Sequence, residues 1–224
     1  DKVNDGYNAF DFHIAFHAIH NFCVTDMSNF YLDIIKDRLY CEKEDSEIRR
    51  ACQTAMYRIL SAAARLAAPI ISFTAEEIWT YMPHTSADDK ESIFLNQMPE
   101  KSGLEFSEEF IAKWDFIYST REAVNKVLEE KRNEKLIGKS LEANIVFHCG
   151  DGLYDKYASL ADELKDILIV SGVSVEKDGN DETPEIQVVK ADGEKCERCW
   201  AYSNTVGTDS EHPTLCARCA SVVK

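Results

Sequence analysis

Apolar residues recur three and four positions apart through the first part of the chain, and that rhythm breaks after Gly138. Phe12, Phe16, Ile19 and Cys23 fall on one face of a helix, and Tyr31, Ile34, Ile35 and Leu39 on one face of a second, shorter one. Asp45 or Ser46 caps a third. Its expected buried stripe is Ile48, Cys52, Met56, Ile59, Ala63 and Leu66, with Arg49, Arg50, Gln53 and Arg58 off it. Pro69 marks its end or a kink. Thr74 and Glu77 have the spacing of a reciprocal cap, ahead of a helix carrying Ile78, Trp79 and Met82 that Pro83 closes. Residues 84–106 read as a long polar loop. Ser107 then caps a helix whose stripe is Phe110, Trp114, Ile117, Val124 and Leu128. Arg121 shares that stripe and is expected to be paired or to snorkel at its edge.

Beyond Gly138 the pattern predicts a strand from Ala143 to His148, a helix from Asp155 to Asp166 and a β-rich run from Ile167 to Val175. A turn-rich acidic loop from Lys177 to Pro184 leads to another strand, Ile186 to Lys190. The expected fold is mainly α: a helical bundle over 1–140, a small α+β connecting unit over 141–194, and a cysteine-rich module over 195–224. With 224 residues, 45% of them hydrophobic, the chain is long enough to bury a core.

The module carries the clearest chemistry. Cys196 and Cys199 form one C-x-x-C pair and Cys216 and Cys219 another, with sixteen residues between the pairs. Two such turns offer four thiolates to one ion, which is the ligand set and spacing of a structural zinc site. Disulfides or unrelated thiols are the alternative, but both pairs have the same C-x-Arg-Cys form. Four sulfur ligands close the shell, so the expected Zn²⁺ is structural and His212 is not needed as a substitute ligand. Lys195, Arg198 and Arg218 would offset the formal −2 charge of such a site. The resulting fold class is a helical bundle, a small α+β unit and a C-terminal four-cysteine zinc ribbon.

Charge and cysteine usage narrow the setting. The net charge is −15, and −8 of it lies between Asp151 and Glu194, whereas residues 121–150 and 195–224 each carry +1. A polyanion could meet a local basic face even though the whole chain is acidic. Cys23, Cys41, Cys52 and Cys149 stand singly and read as reduced, mostly buried thiols of a cytoplasmic protein. The stretch Ala62 to Phe73, interrupted by Arg65 and Pro69, is too short to span a bilayer, and no membrane partner is expected. The chain begins at Asp1 without a Met, as a piece of something longer would.

Several other constellations fail on inspection. Gly138-Lys139-Ser140 lacks the earlier glycine of a phosphate loop, Asn133 standing in its place. The neighbours Glu76-Glu77 and Glu129-Glu130 point in different directions on a helix and make no acid/base couple. His13, His17 and His20 lack an acidic or cysteine partner. No catalytic residue is assigned.

Leu66-Ala67-Ala68-Pro69-Ile70-Ile71-Ser72-Phe73-Thr74-Ala75-Glu76-Glu77-Ile78-Trp79 resembles the signature of the anticodon-binding bundle in class I aminoacyl-tRNA synthetases for Ile, Val, Leu and Met. Residues 29–40, the run Lys139-Ser140-Leu141-Glu142-Ala143 and the four-cysteine end beginning Gly193-Glu194-Lys195-Cys196 narrow the resemblance to bacterial-type isoleucyl-tRNA synthetases, over almost the whole chain. The family's HIGH and KMSKS motifs, nucleotide-binding core and editing domain are absent, so the likeness is to the C-terminal part. It implies recognition of tRNA(Ile) here, and ATP-dependent aminoacylation in the rest of the parent chain, acting as a monomer. On that basis Trp200 is expected to stack on an anticodon-loop base, flanked by Lys195 and Arg198. The competing reading is that Trp200 covers the underside of the ribbon or docks it onto the α+β unit. Arg38, Lys131, Arg132 and Lys135 are the candidate phosphate contacts, or else solvated surface. A stand-alone zinc-ribbon adaptor binding DNA or protein is the alternative function, and a metal hydrolase would need an open metal position.

Overall fold

The computed structural model describes residues 1–224, which separate into two compact units: 1–39 with 44–105, and 40–43 with 106–224. The first is helical. Helix α1 (Lys2–Asn8) turns through Phe10, in the left-handed region at φ 61°, into α2 (Phe12–Asn21). The two lie close because Gly6 faces Ala15; a Cβ on Gly6 would sit 3.1 Å from the Ala15 nitrogen. Residues Phe22–Tyr31 wind as a π-helix, followed by short α3 (Leu32–Ile34) and α4 (Lys36–Cys41). The long α5 (Glu47–Ala67) then packs on α6 (Ser72–Tyr81). Their shared core is Ala64, Ala68, Ala75, Trp79, Met82 and Ile93, with Tyr57 and Ile78 against it.

Several expectations change here. Phe12 and Phe16 point outward, and Ala15 is the buried residue of α2. Cys23, at the start of the π segment, is exposed as Phe12 and Phe16 are. In the next stretch Phe30 and Ile35 are buried. On α5 the deepest positions are Cys52, Ser61, Ala64 and Ala67; Ile48 is exposed, and Met56, Ile59, Ala63 and Leu66 are half-buried. Of the deepest positions, Ala64 lies in the core shared with Trp79 of α6. Ser46 caps α5, its Oγ accepting from the Arg49 N–H at 3.2 Å. The reciprocal cap at Thr74 does not form: α6 already begins at Ser72, whose hydroxyl donates to the Ala68 carbonyl at 3.1 Å. Glu76 instead accepts from the Ser92 hydroxyl and the Ile93 N–H.

The polar loop after α6 is pinned by side chains. Asp88 accepts from the Thr85 N–H at 2.7 Å and hydroxyl at 2.8 Å, and lies 3.5 Å from the Arg65 guanidinium. Those Thr85 donors outweigh burial and, with Arg65, hold its carboxyl below the usual carboxylate range. The Trp79 indole N–H donates to the Asp89 carbonyl at 3.0 Å.

The second unit contains α7 (Glu108–Asn133), with Ser107 as its N-cap, and a βαβ element. Strand β1 (Ala143–His148) pairs in parallel with β2 (Gly172–Glu176), connected by α8 (Asp151–Leu168), and antiparallel with β3 (Glu185–Lys190) on its other side. Helix α8 is longer than the sequence predicts and absorbs the start of the expected β-rich run, ending where Ile169 turns left-handed at φ 57°. Ile145, Phe147, Val188, Tyr157, Leu160 and Leu164 are buried, and the Phe147 and Tyr157 ring centres lie 4.6 Å apart. Helix α7 contributes Ile117, Thr120, Val124 and Leu128, whereas Phe110 is exposed at its N-terminal end. Arg121 donates to the Ile167 carbonyl in the last turn of α8, at 3.2 Å, the paired arrangement expected of it. Thus α7, counted with the bundle on sequence grounds, packs with α8 and β3. No helix is long and apolar enough to cross a membrane.

Candidate metal centre and nucleic-acid interface

The cysteine module follows β3. A hairpin of β4 (Glu194–Lys195) and β5 (Tyr202–Ser203) carries the first C-x-x-C turn. Gly193 enters it at φ 84°, with its α-carbon so close to Ser203 that a Cβ would collide with the backbone. The Trp200 N–H donates to the Cys196 carbonyl and the Cys196 N–H to the Ala201 carbonyl, both at 2.9 Å, which closes the turn. Cys216 is the N-cap of α9 (Ala217–Val223), so the second pair sits at the head of that helix. The folded parts thereby present sulfur from two sides.

All four Sγ atoms, of Cys196, Cys199, Cys216 and Cys219, lie within 4.8 Å of one another. Cys199 and Cys216 sulfurs are 3.9 Å apart, and the Cys216 N–H donates to Cys196 Sγ at 3.3 Å. Burial pushes the Cys196 thiol up, but the backbone N–H groups of Cys199, Cys216 and Arg198 outweigh it and bring it down to about 6. Burial raises Cys199 and Cys219, and Cys219 is raised further by its sulfur neighbours. A set of sulfurs that resist ionising together, yet are already furnished with N–H donors, fits a dication at their centre. Zn²⁺ suits four thiolates in this packing, with no position left for a reacting water, and the zinc is structural. Val206 and Leu215 pad the cluster.

Trp200 is 57% exposed and holds φ 66°. That left-handed conformation costs a bulky residue of order 1–3 kcal/mol, and glycine would adopt it freely. The Lys195 ammonium stands 5.4 Å from the centre of the indole ring, so these two candidates share one surface. More than half of the Trp200 side chain thus faces solvent. Arg198 is placed differently. Its guanidinium donates to the Tyr40 carbonyl at 3.3 Å, while the Cys41 thiol approaches the Arg198 carbonyl at 3.7 Å. Arg218 lies 3.6 Å from Glu42. Residues 40–42 thus dock on the metal module through both of its arginines. Sequence reasoning missed this contact, and nothing local in the sequence signals it.

Lys131, Arg132 and Lys135 are gathered at the end of α7. Lys131 pairs with Glu134 at 2.8 Å, and Arg132 pairs with Glu129 at 2.7 Å and donates to Ser140 Oγ at 2.6 Å. Lys135 is exposed and occupies the left-handed position after the helix, at φ 62°, where glycine is usual. Arg38 is half-buried on α4 in the other unit. The Lys139–Ala143 run is structural: the Glu142 carboxylate accepts from the Gly138 N–H at 2.8 Å. Leu141 O accepts from the Ser171 hydroxyl at 2.5 Å, and the same hydroxyl accepts from the Tyr202 N–H at 2.7 Å, tying the module to the sheet.

Known proteins agree with this arrangement. Residues 193–222 match the zinc finger found in FPG and IleRS. Over its whole length the chain is 45% identical to the isoleucine–tRNA ligases of Bacillus mycoides (strain KBAB4) and Bacillus cereus (strain AH187), and 44% identical to that of Bacillus anthracis (strain A0248). It spans 25% of the length of each of these relatives. Residues 1–147 match the anticodon-binding domain of tRNA ligase, and the chain belongs to that family.

Proposed function

We propose that this chain is the tRNA-recognition part of an isoleucine–tRNA ligase, which attaches isoleucine to tRNA(Ile) using ATP. In this reading the catalytic and editing domains lie in the rest of the ligase chain, ATP is used there and not here, and the ligase works as a cytoplasmic monomer. The identity to isoleucine–tRNA ligases supports the choice of amino acid. The observation that carries RNA contact is Trp200, exposed beside Lys195 on a turn made rigid by metal and held in a conformation that glycine would adopt at lower cost. Strain kept at an exposed aromatic points to a use for that side chain. Unpaired anticodon-loop bases offer the π-faces such a platform takes. Lys195, Lys131, Arg132 and Lys135, with Arg38, are the proposed phosphate contacts, and Arg198 supports the Trp200 turn from behind. The adaptor reading gains nothing from the helical part, which matches an anticodon-binding domain.

Binding should be weak and salt-sensitive, because the basic contacts are few and the net charge is −15. The test is filter binding of the chain to tRNA(Ile), to anticodon variants and to an unrelated tRNA. Preference for tRNA(Ile) that is lost on changing the anticodon is expected; equal affinity for all three sinks the proposal. Stacking contributes about 1–3 kcal/mol per base, so Trp200→Ala should weaken binding roughly 5- to 150-fold with zinc content unchanged. Zinc loss in that variant would make Trp200 a structural residue of the ribbon.

A further inference from the structure

A second group of metal-binding side chains lies outside the cysteine cluster. His148, Glu176 and Asp178 bring one imidazole nitrogen and two carboxylate oxygens within 4.8 Å of one another. Strand register sets the first two. His148 ends β1 and stands directly beside Glu176, which ends the parallel strand β2, so both side chains leave the same face of the sheet. Asp178 follows in a turn that the backbone folds back onto β1. The Cys149 N–H donates to the Glu176 carbonyl at 2.8 Å, the Gly179 N–H to the Cys149 carbonyl at 3.1 Å, and the Gly150 N–H to the Asn180 carbonyl at 2.7 Å. The approach is tight enough that a Cβ on Gly179 would collide with the His148 carbonyl, and one on Gly150 with Asn180. The main chain, and not a loose loop, therefore carries the acidic side chains to the imidazole.

The histidine is also oriented. Its Nδ1 lies 2.8 Å from Asp178 Oδ1 and 3.7 Å from Glu176 Oε2, and its Nε2 lies 3.2 Å from Gln187 Oε1 on β3. With the ring proton on Nε2, that nitrogen donates to the Gln187 oxygen and leaves Nδ1 facing the carboxylates, which is how a metal-binding imidazole is normally set. Lys177 sits between the two acids in sequence, but its ammonium is drawn away to Asp151 at 2.8 Å and over the Tyr154 ring at 5.6 Å. The His148 side chain is 19% exposed, and those of Glu176 and Asp178 are 56% and 57% exposed, so solvent reaches the group from one side.

We propose that His148 Nδ1 and one oxygen each of Glu176 and Asp178 bind a divalent metal of the zinc type, with Gln187 orienting the imidazole and water completing the shell. One nitrogen and two carboxylate oxygens are ligands zinc takes at about 2.0–2.2 Å, and small rotations of the two exposed acids bring their oxygens to that range. The metal replaces the proton that His148 and Asp178 otherwise share. It clips the 177–181 turn to the end of β1, over the start of α8.

The test uses the full chain with its cysteine cluster already loaded with zinc. Equilibrium dialysis against Zn²⁺ should show a second zinc per chain. Ring-nitrogen NMR should show Nδ1 of His148, and not Nε2, moving on addition. Asp178→Asn changes an exposed side chain and keeps the backbone bonds of the turn. It should weaken the second zinc by roughly 10- to 100-fold or more, while the cysteine-bound zinc stays. A single zinc per chain at saturation overturns the proposal. So does a second zinc that persists equally in Asp178→Asn and His148→Gln.

Discussion

The cysteine module and the layer formed by α8 and its sheet are neighbours in the chain and hold together by different means. The layer buries Ile145, Phe147, Leu164 and Val188 almost completely, with the Tyr157 ring centre 4.6 Å from that of Phe147. The module's interior is sulfur, padded by Val206 and Leu215. Apolar burial yields about 25 cal/mol per Å², and thirty residues have too little of it to offset the entropy of ordering them. Metal coordination is the substitute, and it acts locally. A side chain such as Trp200 is therefore free to face outward and keep a strained backbone, because its position does not depend on burying it.

The largest effect should come from removing the metal. Cys216→Ser takes away one of the four clustered sulfurs and alters the head of α9. Zinc binding of about 10–16 kcal/mol in comparable peptides is lost in large part, and residues from Gly193 onward should exchange their amide hydrogens freely. The α7–α8–sheet core should keep its protection; if that core melts as well, the two regions do not differ as described. The converse is Leu164→Ala in the layer. It should cost about 2–5 kcal/mol in denaturant unfolding and leave zinc content unchanged. Zinc loss in that variant would show that the module leans on the layer rather than on its metal.

A smaller effect distinguishes a third means of holding a segment, by charge. Asp88 anchors the loop after α6, and its folded carboxyl is held below the usual range. A depressed carboxylate contributes stability that is fully present above its unfolded value, near pH 3.9, and is lost as pH falls through the lower folded value. Unfolding measured across that window should therefore show a step in the wild type that Asp88→Asn removes, with no change in the cysteine module. An equal step in the variant would assign the acid sensitivity to other carboxylates.

What could be read from sequence was local. The strands around Ile145 and Val188, the serine caps at Ser46 and Ser107, and the four cysteines all follow from spacing within a few residues. Periodicity identified an apolar face at Phe12 and Phe16 but carries no information on whether anything covers it, and both stand exposed. The π-helix at Phe22–Tyr31 and the left-handed Trp200 depend on tertiary context. Trp200 in particular occupies a conformation for which sequence rules expect glycine. The docking of Tyr40 and Cys41 on Arg198 joins residues 158 and 157 positions apart, beyond any local pattern.

That last contact has a consequence during synthesis. A ribosome adds about 5–20 residues per second, so Tyr40 is made roughly 8–30 s before its partner Arg198. Through that interval the last residues of α4 and the turn that follows it have nothing to fasten to. The final latch must then be closed by the last portion of this segment to emerge, and only once that portion has captured its metal. Zinc supply during translation thereby sets when a peptide bond laid down much earlier reaches its native place.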